Sequence, residues 1–137
     1  MRGITLLLAI FVSSLALTLG IGIFTLLFGE IGFGGTSKDS LIAFSAADSG
    51  TECALYWDTK QNAFSTSTTS TIVCDNDSSV VGGPSGVSNF TISFSDGSCA
   101  NIQVAKNVSS TRISSLGQNS CGAGASRVVQ RGLEVNY

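Results

Sequence analysis

Apolar positions fall into three regimes along the chain. From Ile4 to Gly29 they run almost unbroken and without a charge, from Ala43 to Trp57 they recur at helical spacing, and further on they alternate with polar residues. The first run covers about 26 residues, a helix of roughly 39 Å, enough to cross a hydrocarbon core of about 30 Å. It contains Gly20, Gly22 and Gly29, which in a membrane let neighbouring helices approach closely and are therefore expected at helix contacts. Ile31-Gly32-Phe33-Gly34-Gly35 is the expected place for a kink. Thr36 followed by Asp39 is close to a capping box and predicts the start of a second helix reaching Trp57. On that helix Ala43, Ala46, Ala47, Gly50, Cys53, Ala54 and Trp57 share one stripe. Its small residues let another layer pack closely, with Trp57 as the bulky end. The polar run Asp58-Thr59-Lys60-Gln61-Asn62 ends the pattern.

Beyond it the period is two. Thr71-Ile72-Val73-Cys74 predicts a strand, and Val80-Val81 leads into a Gly82-Gly83-Pro84-Ser85-Gly86 loop. Phe90, Ile92 and Phe94 alternate with Thr91 and Ser93, Asp96-Gly97 supplies a turn, and Ile102 and Val104 alternate on the return strand. Ile113 predicts a short strand. Val129, Leu133, Val135 and Tyr137 share a final apolar face that Arg131 interrupts. The expectation is an α+β fold, with a long apolar N-terminal helix and a small antiparallel sheet packed on the helix's second half. In boundaries, this gives a short leader over 1–3, a transmembrane helix over 4–35, and a globular domain over 36–137, helical over 36–57 and sheet over 63–137.

Composition narrows the setting. The chain has 137 residues, room for one compact domain, and its net charge of −2 includes no Lys/Arg cluster that could neutralise phosphates. Nucleic acid is therefore excluded as a partner. The apolar run is too long for a cleaved secretory signal, and no A-x-A-like site closes it. Arg2 is the only charge before it, which leaves the N-terminus in the cytoplasm and sends the remainder outward. The four cysteines, Cys53, Cys74, Cys99 and Cys121, form no C-x-x-C pair and the chain lacks histidine. Disulfides in an oxidising compartment fit better than a zinc site. Of three possible pairings, Cys53–Cys74 with Cys99–Cys121 is favoured because each bond closes a local loop.

Catalytic chemistry has little to build on. Without histidine there is no Ser-His or Cys-His pair, and Lys38, Lys60 and Lys106 stand in no S-x-x-K pattern. The glycine-rich pieces match neither phosphate-binding motif. Asp48 and Glu52, four apart, are expected on a solvated helix face. Asp75-Asn76-Asp77 is only the first half of a calcium loop. No enzyme activity, metal or cofactor is expected.

Three pieces together resemble the type IV pilin superfamily, specifically minor pilins with a PilX-like N-terminus. Arg2-Gly3-Ile4-Thr5-Leu6 is similar to the prepilin peptidase site. Ala43-Phe44-Ser45-Ala46-Ala47-Asp48-Ser49-Gly50-Thr51-Glu52 resembles the A-F-x-A-[AE]-[DE]-x-G-x-E stretch that follows the apolar helix in those proteins. The third is the order of parts, helix first and small disulfide-bearing β domain last. The resemblance implies cleavage after Gly3 and methylation of Ile4. It also implies residence in the cytoplasmic membrane with the C-terminus outside, then extraction into an extracellular filament. The implied partners are other pilin subunits, the membrane, the prepilin peptidase and the assembly machinery.

One position departs from the pattern. Pilins carry Glu as the fifth residue after the cut, where it pairs with a neighbouring subunit's terminal amine, and here that position is Leu8. The departure points to a minor or tip subunit. A single-pass anchored binding domain that never polymerises is the alternative, and the two differ at Gly3-Ile4, which only a pilin has cut.

Overall fold

The computed structural model describes residues 2–122, 124 and 127–137, the side chains of Arg2 and residues 29–33 excepted. The chain divides into two compact units, Met1–Ser37 and Lys38–Tyr137, a boundary two residues beyond the expected one. One helical element, α1 (Arg2–Thr59), contributes to both. No second helix begins at Thr36, contrary to the capping-box reading. Once a helix is nucleated, each further residue adds a hydrogen bond, whereas a break would strand several backbone groups. That outweighs the roughly 1 kcal/mol that glycine costs relative to alanine. The kink was expected over 31–35; the side chains of 29–33, Gly29 among them, lie outside the described residues.

In the first unit the segment Gly3–Phe28 is long and apolar enough to cross a membrane, and none of it is buried in the protein. Four of its hydroxyls bond to carbonyls of the same helix. Ser13 donates to the Ala9 carbonyl at 2.8 Å, and Ser14, Thr18 and Thr25 each donate to the carbonyl three residues back at 2.9 Å. None of these four side chains leaves a polar hydrogen unbonded on the apolar surface.

In the second unit α1 ends at Thr59 and the chain reverses through Asn62, whose φ of 48° is left-handed. Asn62 is a residue type that adopts this conformation readily. The reversal seats Ala63 and Phe64 in the core, with Phe64 stacked on Phe90 at 6.1 Å between ring centroids. Six strands follow: β1 (Thr69–Cys74), β2 (Asp77–Gly82), β3 (Val87–Ser93), β4 (Cys99–Lys106), β5 (Thr111–Gln118) and β6 (Gln130–Asn136).

They form two antiparallel sheets rather than the single expected one, a β1-β2 ribbon and a four-stranded β3-β4-β5-β6 meander. The break has a local cause. Gly82, Gly83 and Gly86 all take left-handed φ around Pro84, which carries the backbone out of any ladder. Side chains bridge the gap instead. Ser88 accepts the Gly82 N–H at 2.8 Å, and Asp77 accepts the Ser93 N–H at 2.6 Å.

Strict alternation sorts the meander's two faces. The inner face carries Phe90, Ile92, Ala100, Ile102, Val104 and Ile113, which join Ile72, Cys74 and Val81 of the ribbon and Ala54 of α1 in one core. β5 spans eight residues, not the short strand expected around Ile113. Its inner face is small and polar at Ser115 and Gly117, so hydrophobic alternation understates its length.

Candidate functional site

Two surfaces carry the features that the sequence singles out: the apolar helix of the first unit and the helix–sheet seam of the second. On the former, Ile4 and Leu8 are exposed, and nothing lies within 4 Å of the space a side chain would take at Gly3, Gly20 or Gly22. Leu8 is 60% exposed and presents a hydrocarbon side chain at the fifth position after Gly3.

The seam is built from small residues. Ala43, Ala47 and Ala54 are fully buried, and Gly50 is buried with them. A side chain at Gly50 would come within 2.8 Å of the Ser115 hydroxyl and 3.1 Å of the Ala100 Cβ. From the opposite side, a side chain at Gly117 would collide with the Ala43 carbonyl and lie 2.5 Å from the Ala47 nitrogen. Helix and sheet thus approach each other nearly backbone to backbone. Ser115 sits in this seam, and its hydroxyl is the one buried side-chain polar atom among the described residues without a partner.

Trp57 is half-buried at the far end of the stripe, where its indole N–H donates to the Val73 carbonyl of β1 at 3.1 Å. A disulfide between Cys53 and Cys74 ties α1 to the same strand, and a second between Cys99 and Cys121 ties the start of β4 to the chain after β5. Each closes a loop of about twenty residues, worth about 3 kcal/mol on a chain-entropy estimate.

Asp58 corrects the sequence analysis. It was read only as the first residue of the polar run that ends the helical pattern, yet it is 6% exposed, four residues beyond Ala54 on the buried stripe. Its carboxylate accepts from the Lys106 ammonium at 2.6 Å and from the Tyr137 hydroxyl at 2.7 Å, and Asn62 gives Lys106 a second acceptor at 3.2 Å. Burial, followed by the hydrogen bond to Asp58, pushes the Tyr137 phenol well above its ordinary range. This clamp joins the end of α1 to the ends of β4 and β6. Its signal in the sequence was a charge at a core position of the helical stripe.

Arg131 likewise has a partner. It lies on the inner phase of β6 and donates to the Ser40 hydroxyl of α1 at 2.7 Å. Asp48 and Glu52 are exposed, as expected for a solvated face. Asp75-Asn76 forms the β1–β2 turn, with Asp75 at a left-handed φ of 51°. Among the described residues no cluster of potential metal ligands occurs.

The outer face of the meander carries a shallow trough of about 580 Å³. Asn89, Thr91, Asn101, Gln103, Ser114, Leu116 and Glu134 line it. Neighbouring amides and hydroxyls bond to one another, Thr91 to Asn101 at 2.7 Å and Gln103 to Asn89 at 2.9 Å. The Asn136 amide and then the Arg112 guanidinium hold the Glu134 carboxyl below its usual range. The trough went unnoticed in the sequence, although its residues are the polar phase of the β3 and β4 alternation.

No known protein family, no curated protein and no solved structure matches the chain.

Proposed function

We propose that this chain is a structural subunit of an extracellular filament of the type IV pilus kind, a minor or tip component assembled through its apolar helix. The observation that carries the reading is the division of α1. One part, Gly3–Phe28, is apolar with none of its span buried, and the other is built into a disulfide-bonded sheet domain. A helix of the first kind needs lipid or other helices around it. Exchange of lipid for packing against neighbouring subunits, aided by close approach at Gly20 and Gly22, drives assembly. The prepilin-type site Arg2-Gly3-Ile4-Thr5-Leu6 supplies the step that prepares the chain for extraction.

Leu8 supports the minor role. An incoming terminal amine beside a leucine in an apolar bundle would be desolvated without a partner, which is strongly unfavourable. A homopolymer repeats that cost at every subunit, whereas a subunit used once at an end avoids it. No enzyme activity is part of this proposal.

The amide-lined trough favours a second reading, a membrane-anchored binding domain that does not polymerise. One experiment separates the two. Mass spectrometry of the chain from its native membranes yields a methylated Ile4 terminus for a pilin subunit and an uncut N-terminus for an anchor.

A further inference from the structure

Three asparagines stand in the N-x-Ser/Thr pattern that accepts N-linked glycans: Asn76-Asp77-Ser78, Asn89-Phe90-Thr91 and Asn107-Val108-Ser109. The pattern alone does not distinguish them, but their places in the fold do. A transferase must draw the acceptor asparagine, together with the hydroxyl two residues on, out of the protein surface and into its own site.

Two of the three are held back. Asn89 and Thr91 lie within β3, each opposite a residue of β4. The Asn89 carbonyl oxygen accepts from Gln103 at 2.9 Å, and the Thr91 hydroxyl donates to Asn101 at 2.7 Å. Extracting that segment would open the β3–β4 ladder. Asn76 is in the β1–β2 turn, but Ser78 is paired with Val73 in β2, and the carboxylate of Asp77 holds the Ser93 N–H at 2.6 Å. Engaging that sequence would break the side-chain bridge between the ribbon and the meander.

Asn107 is different. β4 ends at Lys106 and β5 begins at Thr111, so residues 107–110 form the turn outside both strands. All four are exposed, and the Val108 side chain has no packing against the domain. A backbone bond closes the turn from the Asn107 N–H to the Ser110 carbonyl at 2.8 Å, and its loss leaves the ladder intact. A valine standing fully in water at a turn tip has no folding role, and a glycan beside it would cover it.

We propose that Asn107 is an N-glycosylation site and that Asn76 and Asn89 are not. The donor is a lipid-phosphate-linked oligosaccharide. The Asn107 side-chain nitrogen bonds to the anomeric carbon as the bond from that carbon to the lipid-phosphate oxygen breaks. The lipid phosphate leaves with the electron pair, and the amide gives up one proton. The proposal rests only on the outward placement of the sheet domain, not on polymerisation.

The test uses the full chain purified from its native membranes, with disulfides mapped in the same sample. Glycopeptide mass spectrometry should find a sugar-bearing peptide containing Asn107. In gels, Asn107→Gln and Ser109→Ala should each abolish the mobility shift completely. Ser109→Thr should retain it, and Asn76→Gln or Asn89→Gln should leave it unchanged. An unmodified Asn107 peptide alongside intact disulfides would overturn the proposal, as would a glycan on Asn76 or Asn89, or free thiols showing the domain inside the cell. The Ile4 terminus, measured separately, reports on filament assembly and is untouched by either result.

Discussion

Asp58 and Lys106 form a 2.6 Å ion pair in which the aspartate side chain is only 4% exposed and the lysine 24%. The pair holds the end of α1 to the end of β4, and Tyr137 completes it from β6. Asp58→Ala removes the shared acceptor and leaves an ammonium and a phenol with less to bond to. The expected loss is about 2 to 3 kcal/mol, below the range for breaking a fully buried pair because Lys106 retains some water. Trp57 is the single tryptophan, so its fluorescence during urea unfolding of the full chain in detergent follows this domain. A loss below about 0.5 kcal/mol, the range of ordinary surface substitutions, would contradict the clamp.

The same site makes stability sensitive to alkaline pH. The folded Tyr137 phenol titrates above its unfolded value. Its stabilising contribution is complete below the unfolded pKa of about 10 and is lost as pH rises from there toward the folded value. The wild type should therefore lose stability above about pH 10 more steeply than Tyr137→Phe. Identical alkaline profiles for the two would show that the phenol is not coupled to folding.

The seam gives a coupled pair of substitutions. Gly50→Ala pushes a methyl toward the Ser115 hydroxyl, the nearest obstruction at 2.8 Å, and should cost about 1 to 3 kcal/mol by overpacking. Ser115→Ala removes a buried hydroxyl that has no partner and should stabilise by about 1 kcal/mol. In the double variant the methyl meets less resistance, so its loss should be smaller than the sum of the single effects. Strict additivity would place the strain elsewhere. Gly117→Ala should be worse than Gly50→Ala, because its obstructions are the backbone atoms of Ala43 and Ala47.

How much of this was legible in the sequence depended on the physics of each element. The Phe90–Ile92 alternation, the Asp96-Gly97 turn and the return through Ile102 and Val104 are local patterns, and β3 and β4 fall on them. The stripe Ala43, Ala47, Gly50, Ala54 was legible for the same reason. Asp58 was not, because a charge at the end of an apolar stripe reads as the end of the pattern until its partners, 48 and 79 residues away, are known. The division into two sheets also escaped, since it depends on left-handed glycines at 82, 83 and 86 and on the bond from Ser93 to Asp77. Thr36 and Asp39 misled because a local cap signal cannot tell a new helix from one already under way.

Leu8 carries the claim about position in the filament. Under the proposed filament reading, Leu8→Glu supplies a carboxylate for a following subunit's amine, so incorporation along the shaft should rise several-fold by quantitative mass spectrometry of sheared filaments. The wild-type chain should be sparse there, with another subunit forming the bulk. Finding it as the sole repeating unit would refute the minor assignment.

The most direct test of the central claim is the mass of the N-terminal peptide of the chain isolated from native membranes. Filament assembly through the apolar helix predicts that the peptide begins at Ile4, carries an N-methyl group, and is lost as a product when Gly3→Val blocks cleavage while membrane insertion continues. A peptide that still begins at Met1, or one cut near Gly29 or Gly35, would contradict it.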